Sequence, residues 1–275
     1  MRLRGKNLKS VFKSMADIYW EQHVPRAAAG LSYFLTWSVF PLLICLYNML
    51  GGLFPATEEI RSFLTGLLPE NTTEIILDFL RYVSENTSTT MLIVALTVLV
   101  TSSSAAFRTM DNVFSEMRGR ARFSGFFEVL FSIAFSVVFL AALYFAAILI
   151  LTGKWFLDFV DRHIMFMNIS DSWSWARFVL LGLLLFVILS GLYRITAPKG
   201  ASVRLLPGAV LGALALVAVS VFFSAIIGQS ARYPLVYGSL ASVIVMMFWL
   251  YTCGIILLMG NALNISLERL KADLN

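Results

Sequence analysis

The sequence predicts an all-α polytopic membrane bundle with six transmembrane helices, an N-terminal interfacial amphipathic helix and short helices on the outer face. Two observations carry that expectation. The 275 residues are 59% hydrophobic and only 13% charged, with a mean hydropathy of +0.82, whereas a water-soluble domain carries about 25% charged residues. The apolar residues also gather into segments close to the ~20 residues that cross a bilayer's hydrocarbon. These segments run over 27–50, 89–107, 126–152, 176–196, 205–228 and 235–263.

Before the first span, Leu8, Val11, Phe12, Met15 and Tyr19 form one stripe, with Lys9, Lys13 and Asp17 turned away and Trp20 nearby. That pattern predicts a helix lying in the cytoplasmic interface. The stretch Met1 to Arg26 has no continuous apolar core and no small-residue cleavage site. The first span is therefore expected to act as an uncleaved insertion signal.

The first span holds Tyr33, Thr36, Ser38, Tyr47 and Asn48, with Pro41 in its middle. A proline there frees a backbone carbonyl, and it reads equally as a tolerated kink or as a hinge. The stretch 51–88 is too long for a plain turn. Ile60, Phe63, Leu64 and Leu67 recur at helical spacing, as do Ile76, Phe79, Leu80 and Val83, with a break over Pro69 to Thr73. Two short outer helices follow from this, either packed on the bundle or forming a lid.

The second span ends in Thr101, Ser102, Ser103 and Ser104, followed by Arg108, Asp111 and Asn112. Arg108 and Asp111 are three apart and share a helix face, which allows a local ion pair or leaves Arg108 to meet an anion. Glu128 opens the third span as a solvated end residue. The third and sixth segments are long enough to tilt. In the fifth, Gly208 and Gly212 form a GxxxG pair, a close-packing face. No low-complexity linker divides the chain, so 1–275 reads as one domain, with 1–26 as a cytoplasmic arm and 51–88 as a long outer loop.

Orientation follows from the basic residues. Arg2, Arg4, Lys6, Lys9, Lys13, Arg26, Arg108, Arg118, Arg120, Arg122, Arg194, Lys199, Arg204, Arg269 and Lys271 all fall on one side. The opposite side keeps Arg61, Arg81, Lys154, Arg162, Arg177 and Arg232. Both termini are therefore expected in the cytoplasm. The formal net charge of +5 then reflects loops beside anionic lipid, and nucleic acid is not an expected partner.

Enzyme chemistry finds little to work with. His23 and His163 lie on opposite predicted sides, and Cys45 and Cys253 sit in apolar stretches without metal-ligand spacing. No phosphate-cradling loop or nucleophile elbow occurs. Ser239 lies in Tyr237-Gly238-Ser239 without an accompanying histidine. No cofactor or metal is expected, and the chain is not expected to be an enzyme.

A family resemblance rests on both ends of the chain. Arg26-Ala27-Ala28-Ala29-Gly30-Leu31-Ser32-Tyr33-Phe34, ending in Phe40-Pro41-Leu42-Leu43, resembles the opening signature of the YihY/BrkB family. Tyr237-Gly238-Ser239-Leu240-Ala241, with Trp249-Leu250-Tyr251 and Gly260 through Asn264, resembles its closing signature. Leu206-Pro207-Gly208-Ala209 is similar to its fifth-helix start. The resemblance implies a multi-span protein of the bacterial inner membrane with a transport role, although older catalogues label the family ribonuclease BN. Where the family commonly carries an acid, this chain has Ala262 between Asn261 and Asn264, so ion coupling through that acid is not implied here.

The expected function is transport or export of an anionic solute or lipid-like amphiphile. The alternatives are a scaffold for envelope enzymes and a membrane-bound enzyme. Membrane lipids are the expected partners, and the sequence leaves the oligomeric state open. The candidate pathway residues are Arg26, Tyr33, Pro41, Ser103, Arg108, Asp111, Tyr237, Ser239, Tyr251, Asn261 and Asn264.

Overall fold

The computed structural model describes residues 2–50, 61, 70–86, 88–119, 126–134, 136–138, 141, 173–197, 206–228 and 239–272. Helices dominate these residues, and no strand occurs among them. They are α1 (Arg2–Glu21), α2 (Val24–Leu50), α3 (Glu70–Asn86), α4 (Thr89–Arg118), α5 (Trp173–Thr196), α6 (Leu206–Gly228) and α7 (Ser239–Ala272). A shorter apolar helical stretch covers Phe126–Val138. Among the described residues, four helices are long and apolar enough to cross a membrane: Val24–Cys45, Thr89–Arg118, Leu206–Phe223 and Val243–Lys271. The remainder of the expected third span and the core of the first outer-loop helix lie outside the described residues.

Two expected boundaries are corrected. The second span was expected to end at residue 107, yet α4 continues to Arg118. The hydroxyls of its polar stretch do not break the helix, because they donate to carbonyls one turn back: Thr101 to Thr97 at 2.8 Å, Ser103 to Leu99 at 2.6 Å and Thr109 to Ala105 at 2.9 Å. Phe107, Met110, Phe114 and Met117 carry the buried stripe past Arg108. The helix stops at Gly119, whose φ of 66° places it in the left-handed region that favours glycine. Ser88 caps the other end, accepting from the Met91 N–H at 3.2 Å. Likewise α7 runs past the expected residue 263 to Ala272, with Arg269 and Lys271 in its last turn complementing the helix dipole.

The core lies where α1, α2, α4, α5, α6 and α7 meet, around Ile18, Ala28, Phe114, Leu189, Tyr193 and Leu258. α1 sets Val11 and Ile18 into the bundle and bonds the Ser266 hydroxyl to that of Ser14 at 3.1 Å. Phe12 and Trp20 of α1 stay exposed, so only part of its apolar stripe is used inside the chain. A second cluster joins α2, α3 and α4 through Ile44, Cys45, Val83, Ala95 and Leu99. α2 continues through Pro41, and α3 braces that level, with Phe79 meeting Phe40 edge to face at 5.1 Å. α3 is the second expected outer helix, and its Ile76, Leu80 and Val83 are buried as the spacing predicts. Arg61 and Glu74 form an ion pair beside it.

Small residues set the helix separations. Gly254 of α7 faces Ala28 of α2, where an added methyl would lie 3.3 Å from the Ala28 Cα. A methyl on Gly30 would meet the Thr109 side chain at 3.5 Å, ordinary van der Waals contact. Gly30→Ala is therefore expected to keep the fold and raise stability by up to about 1 kcal/mol through helix propensity. Unfolding in a mild detergent–denaturant series would check it. Outward, the helices present Ile93, Val94, Val179, Leu183, Leu214, Phe222 and Phe248. Such a continuous apolar exterior suits lipid and not water.

Candidate functional site

Along α7, Leu257, Asn261, Asn264 and Glu268 fall at i, i+4, i+7 and i+11, which puts them on one helix face. That face meets the last turn of α4, the first turn of α6 and the end of α5. Asn261 and Asn264 are fully buried. Burying an amide without partners costs about 1–3 kcal/mol, so their bonds decide what the site is.

Arg118, the last residue of α4, reaches into this face with its side chain 6% exposed. Its Nη1 lies 3.3 Å from Glu268 Oε2, and its Nη2 donates to Asn261 Oδ1 at 3.1 Å. Asn264 Oδ1 accepts from the Gly208 N–H at 2.8 Å. Gly208 is the third residue of α6, whose first N–H groups have no partner within their own helix. Pro207, just before it, has no N–H to satisfy. Thus α7 supplies the capping oxygen for α6. Arg269 closes the same end by donating to the Met117 carbonyl at 3.2 Å.

Close backbone approach makes this possible. A methyl on Gly208 would collide with the Gly260 carbonyl oxygen and lie 2.6 Å from both terminal atoms of the Asn264 amide. A methyl on Gly260 would strike the Tyr193 hydroxyl. Tyr193 is fully buried, donates to the Leu257 carbonyl at 2.8 Å, and packs edge to face on Phe114 at 5.8 Å. Gly208 therefore faces α7, while a methyl on Gly212 would meet Leu189 of α5 at 3.0 Å.

One turn along α7 from Asn261, the lining changes character. A cavity of about 160 Å³ opens among α2, α4, α5, α6, α7 and the Phe126–Val138 stretch. Its walls include Leu31, Ser103, Phe107, Leu192, Cys253 and Leu257. Ser103 and Ser136 also line it, but their hydroxyls donate to Leu99 at 2.6 Å and Ser132 at 2.8 Å within their own helices. The wall is apolar in effect.

The structure brings together two of the sequence-derived candidates, Asn261 and Asn264 at the polar face, and places Ser103 on the wall of the cavity. Asp111 is buried on α4. Arg108 is half-buried on the same helix, and the ion pairs among the described residues do not join it to Asp111. Arg26 is exposed at the start of α2, just after the turn at His23, whose φ is 48°. Tyr33 faces outward and meets Phe34 and Trp37 edge to face. Pro41 lies inside α2. Tyr251 stacks on Phe248 at 6.3 Å. Ser239 opens α7, and Tyr237 lies outside the described residues.

Arg118, Glu268, Tyr193 and Gly260 were not singled out as candidates from the sequence. Arg118 was expected in a loop. The signal that could have found it is the apolar spacing from Phe107 to Met117, which carries a helix up to it. Among the described residues no group of three His, Cys, Asp or Glu side chains is placed to hold a metal.

Apolar spans with outward hydrophobic faces and a buried polar end define an integral membrane protein of the all-helical class. The family model described as Virulence factor BrkB matches residues 15–274, and the chain belongs to that family. It is 26% identical over 271 residues to the putative ribonuclease-like protein YfkH of Bacillus subtilis (strain 168), covering 95% of this chain and 96% of that protein. It is also 26% identical over 258 residues to a UPF0761 membrane protein of Aromatoleum aromaticum, covering 88% of this chain. The chain spans 60% of that second relative's length. No solved structure matches the chain.

Proposed function

We propose that the chain is a six-span transporter of the bacterial cytoplasmic membrane, with both ends in the cytoplasm, that moves a lipid-like amphiphile with an anionic head. The observation that carries this reading is the apolar cavity one helical turn from the Arg118–Asn261–Asn264 face. An apolar wall holds acyl chain and excludes a hydrated ion, which favours an amphiphile over a small anionic solute. The basic excess on the side of both termini supports the orientation, and the apolar segments at 126–152 and 176–196 support six spans. In this reading α1 lies in the cytoplasmic interface, with exposed Phe12 and Trp20 toward lipid. The chain is no enzyme in this reading; the ribonuclease-like wording belongs to the name of the Bacillus relative.

The test is translocation of a fluorescent phosphatidylglycerol in proteoliposomes, read by chemical quenching of the outer leaflet. Protein-containing vesicles are expected to exchange the lipid faster than empty ones. Ser103→Phe, which fills the cavity, is expected to slow exchange roughly tenfold, equivalent to about 1.4 kcal/mol of barrier. Arg108→Ala is expected to slow anionic cargo while leaving membrane insertion intact. Equal rates with and without protein would discard the transport reading.

A further inference from the structure

The polar face holds more donors than acceptors. Asn261 Oδ1 is taken by the Arg118 guanidinium and Asn264 Oδ1 by the Gly208 N–H. Neither partner can accept, so both amides are fixed with their Nδ2 groups as the remaining donors. Asn261 Nδ2, Asn264 Nδ2 and Arg118 Nε are all buried and meet no acceptor among the described residues. Both asparagines are fully buried, and the Arg118 side chain is 6% exposed. Covalent geometry keeps Arg118 Nε two bonds from the Nη2 that holds Asn261. The Asn264 amide lies against Gly208, in the first turn of the 23-residue helix α6, whose amino end carries the positive pole of its dipole. Glu268, which is 28% exposed, binds Arg118 Nη1.

We infer that the Asn261–Asn264–Arg118 face at the start of α6 is a binding site for a phosphate-type oxyanion. A phosphate group has several oxygens with lone pairs and can accept from N–H donors such as these, which an apolar or cationic ligand cannot do. A helix amino end adds attraction for the same charge. The chemistry is shared by free phosphate and by the phosphate of a lipid head. The Leu257 turn, which separates this face from the apolar cavity, fits the second source. The site stands on its donors and does not depend on transport.

The experiment measures the melting temperature of the full chain in a phosphate-free maltoside detergent. The probes are sodium phosphate, short-chain phosphatidic acid, and short-chain diacylglycerol as the phosphate-free control, with sodium chloride matching ionic strength. The expected result is a rise of about 5 °C at saturating probe. A rise with both phosphate compounds assigns the free anion, and a rise with phosphatidic acid alone assigns a lipid head. Asn261→Asp and Asn264→Asp keep the oxygens that Arg118 and Gly208 need but remove the Nδ2 donors. Asn261→Asp, whose carboxylate faces the Arg118 guanidinium, is expected to melt near the parent without probe. Asn264→Asp buries a carboxylate against a neutral N–H and is expected to melt lower. Both are expected to lose the probe-dependent rise. A flat response in the parent, a rise that diacylglycerol reproduces, or a rise that survives in both variants would overturn the site. Because melting and lipid exchange are separate readouts, failure here leaves the translocation result to stand or fall by itself.

Discussion

Gly260→Ala is expected to destabilise the bundle by about 3 kcal/mol, at the upper end of what overpacking costs. In an isolated helix the same change would be favourable by about 1 kcal/mol, so the sign itself is diagnostic. The new methyl would strike the Tyr193 hydroxyl and lie 3.0 Å from the Gly208 carbonyl oxygen. Gly208 is backbone and cannot turn aside. Tyr193 is fully buried, and it is held by its bond to the Leu257 carbonyl at 2.8 Å. Either α6 or α5 must move away from α7, and in doing so loosen the Asn264 bond to Gly208. Gly191→Ala is the internal control, since a methyl there meets nothing within 4 Å. It should match or exceed the parent in a detergent–denaturant unfolding series. Tyr193→Phe removes the struck oxygen, so in combination with Gly260→Ala it should recover part of the loss. If Gly260→Ala unfolds like Gly191→Ala, then α5, α6 and α7 are not packed at backbone distance.

What sequence reasoning could reach follows the same division between local and distant partners. The apolar segments over 205–228 and 176–196 agree with α6 and α5 to within a few residues, because a span is announced by composition along one stretch of chain. α3 was legible for the same reason, its Ile76, Leu80 and Val83 falling at helical spacing and all buried. Asn261 and Asn264 were reached only through the family resemblance of the closing stretch from Gly260 to Asn264. Arg118 was not reached as a candidate. A run of hydroxyls from Thr101 to Ser104 looks like a helix end in one dimension, yet Thr101 and Ser103 donate to carbonyls of their own helix. Reading the run as an exit moved Arg118 into a loop and hid its place on the helix. Tyr193 and Gly260 were hidden for a different reason. They come from different helices, and a tyrosine in an apolar segment gives no sign of which glycine it will face.

Arg118→Met is expected to cost about 2–3 kcal/mol, below the range for a fully buried ion pair because the Glu268 left behind is 28% exposed and reaches water. The arginine side chain is 6% exposed and its acid is 28% exposed, so most of the loss arises on the Glu268 and Asn261 side. Glu268 Oε2 would lose the 3.3 Å contact that offsets its charge, and the fully buried Asn261 Oδ1 would lose its donor. Methionine roughly preserves the aliphatic stem, which separates the lost charge from lost packing. Glu268→Gln should cost less, because its exposed part reaches water and the neutral amide still offers Nη1 an acceptor. The double variant Arg118→Met with Glu268→Met removes both charges and should recover a large share of the loss, as replacing a buried pair with apolar residues does elsewhere. A double-mutant cycle on unfolding free energies measures this directly. A coupling near zero would mean that Arg118 is held by Asn261 and helix packing alone, with Glu268 a bystander. A coupling of about 1 kcal/mol or more would make the pair the latch between the end of α4 and the last turns of α7.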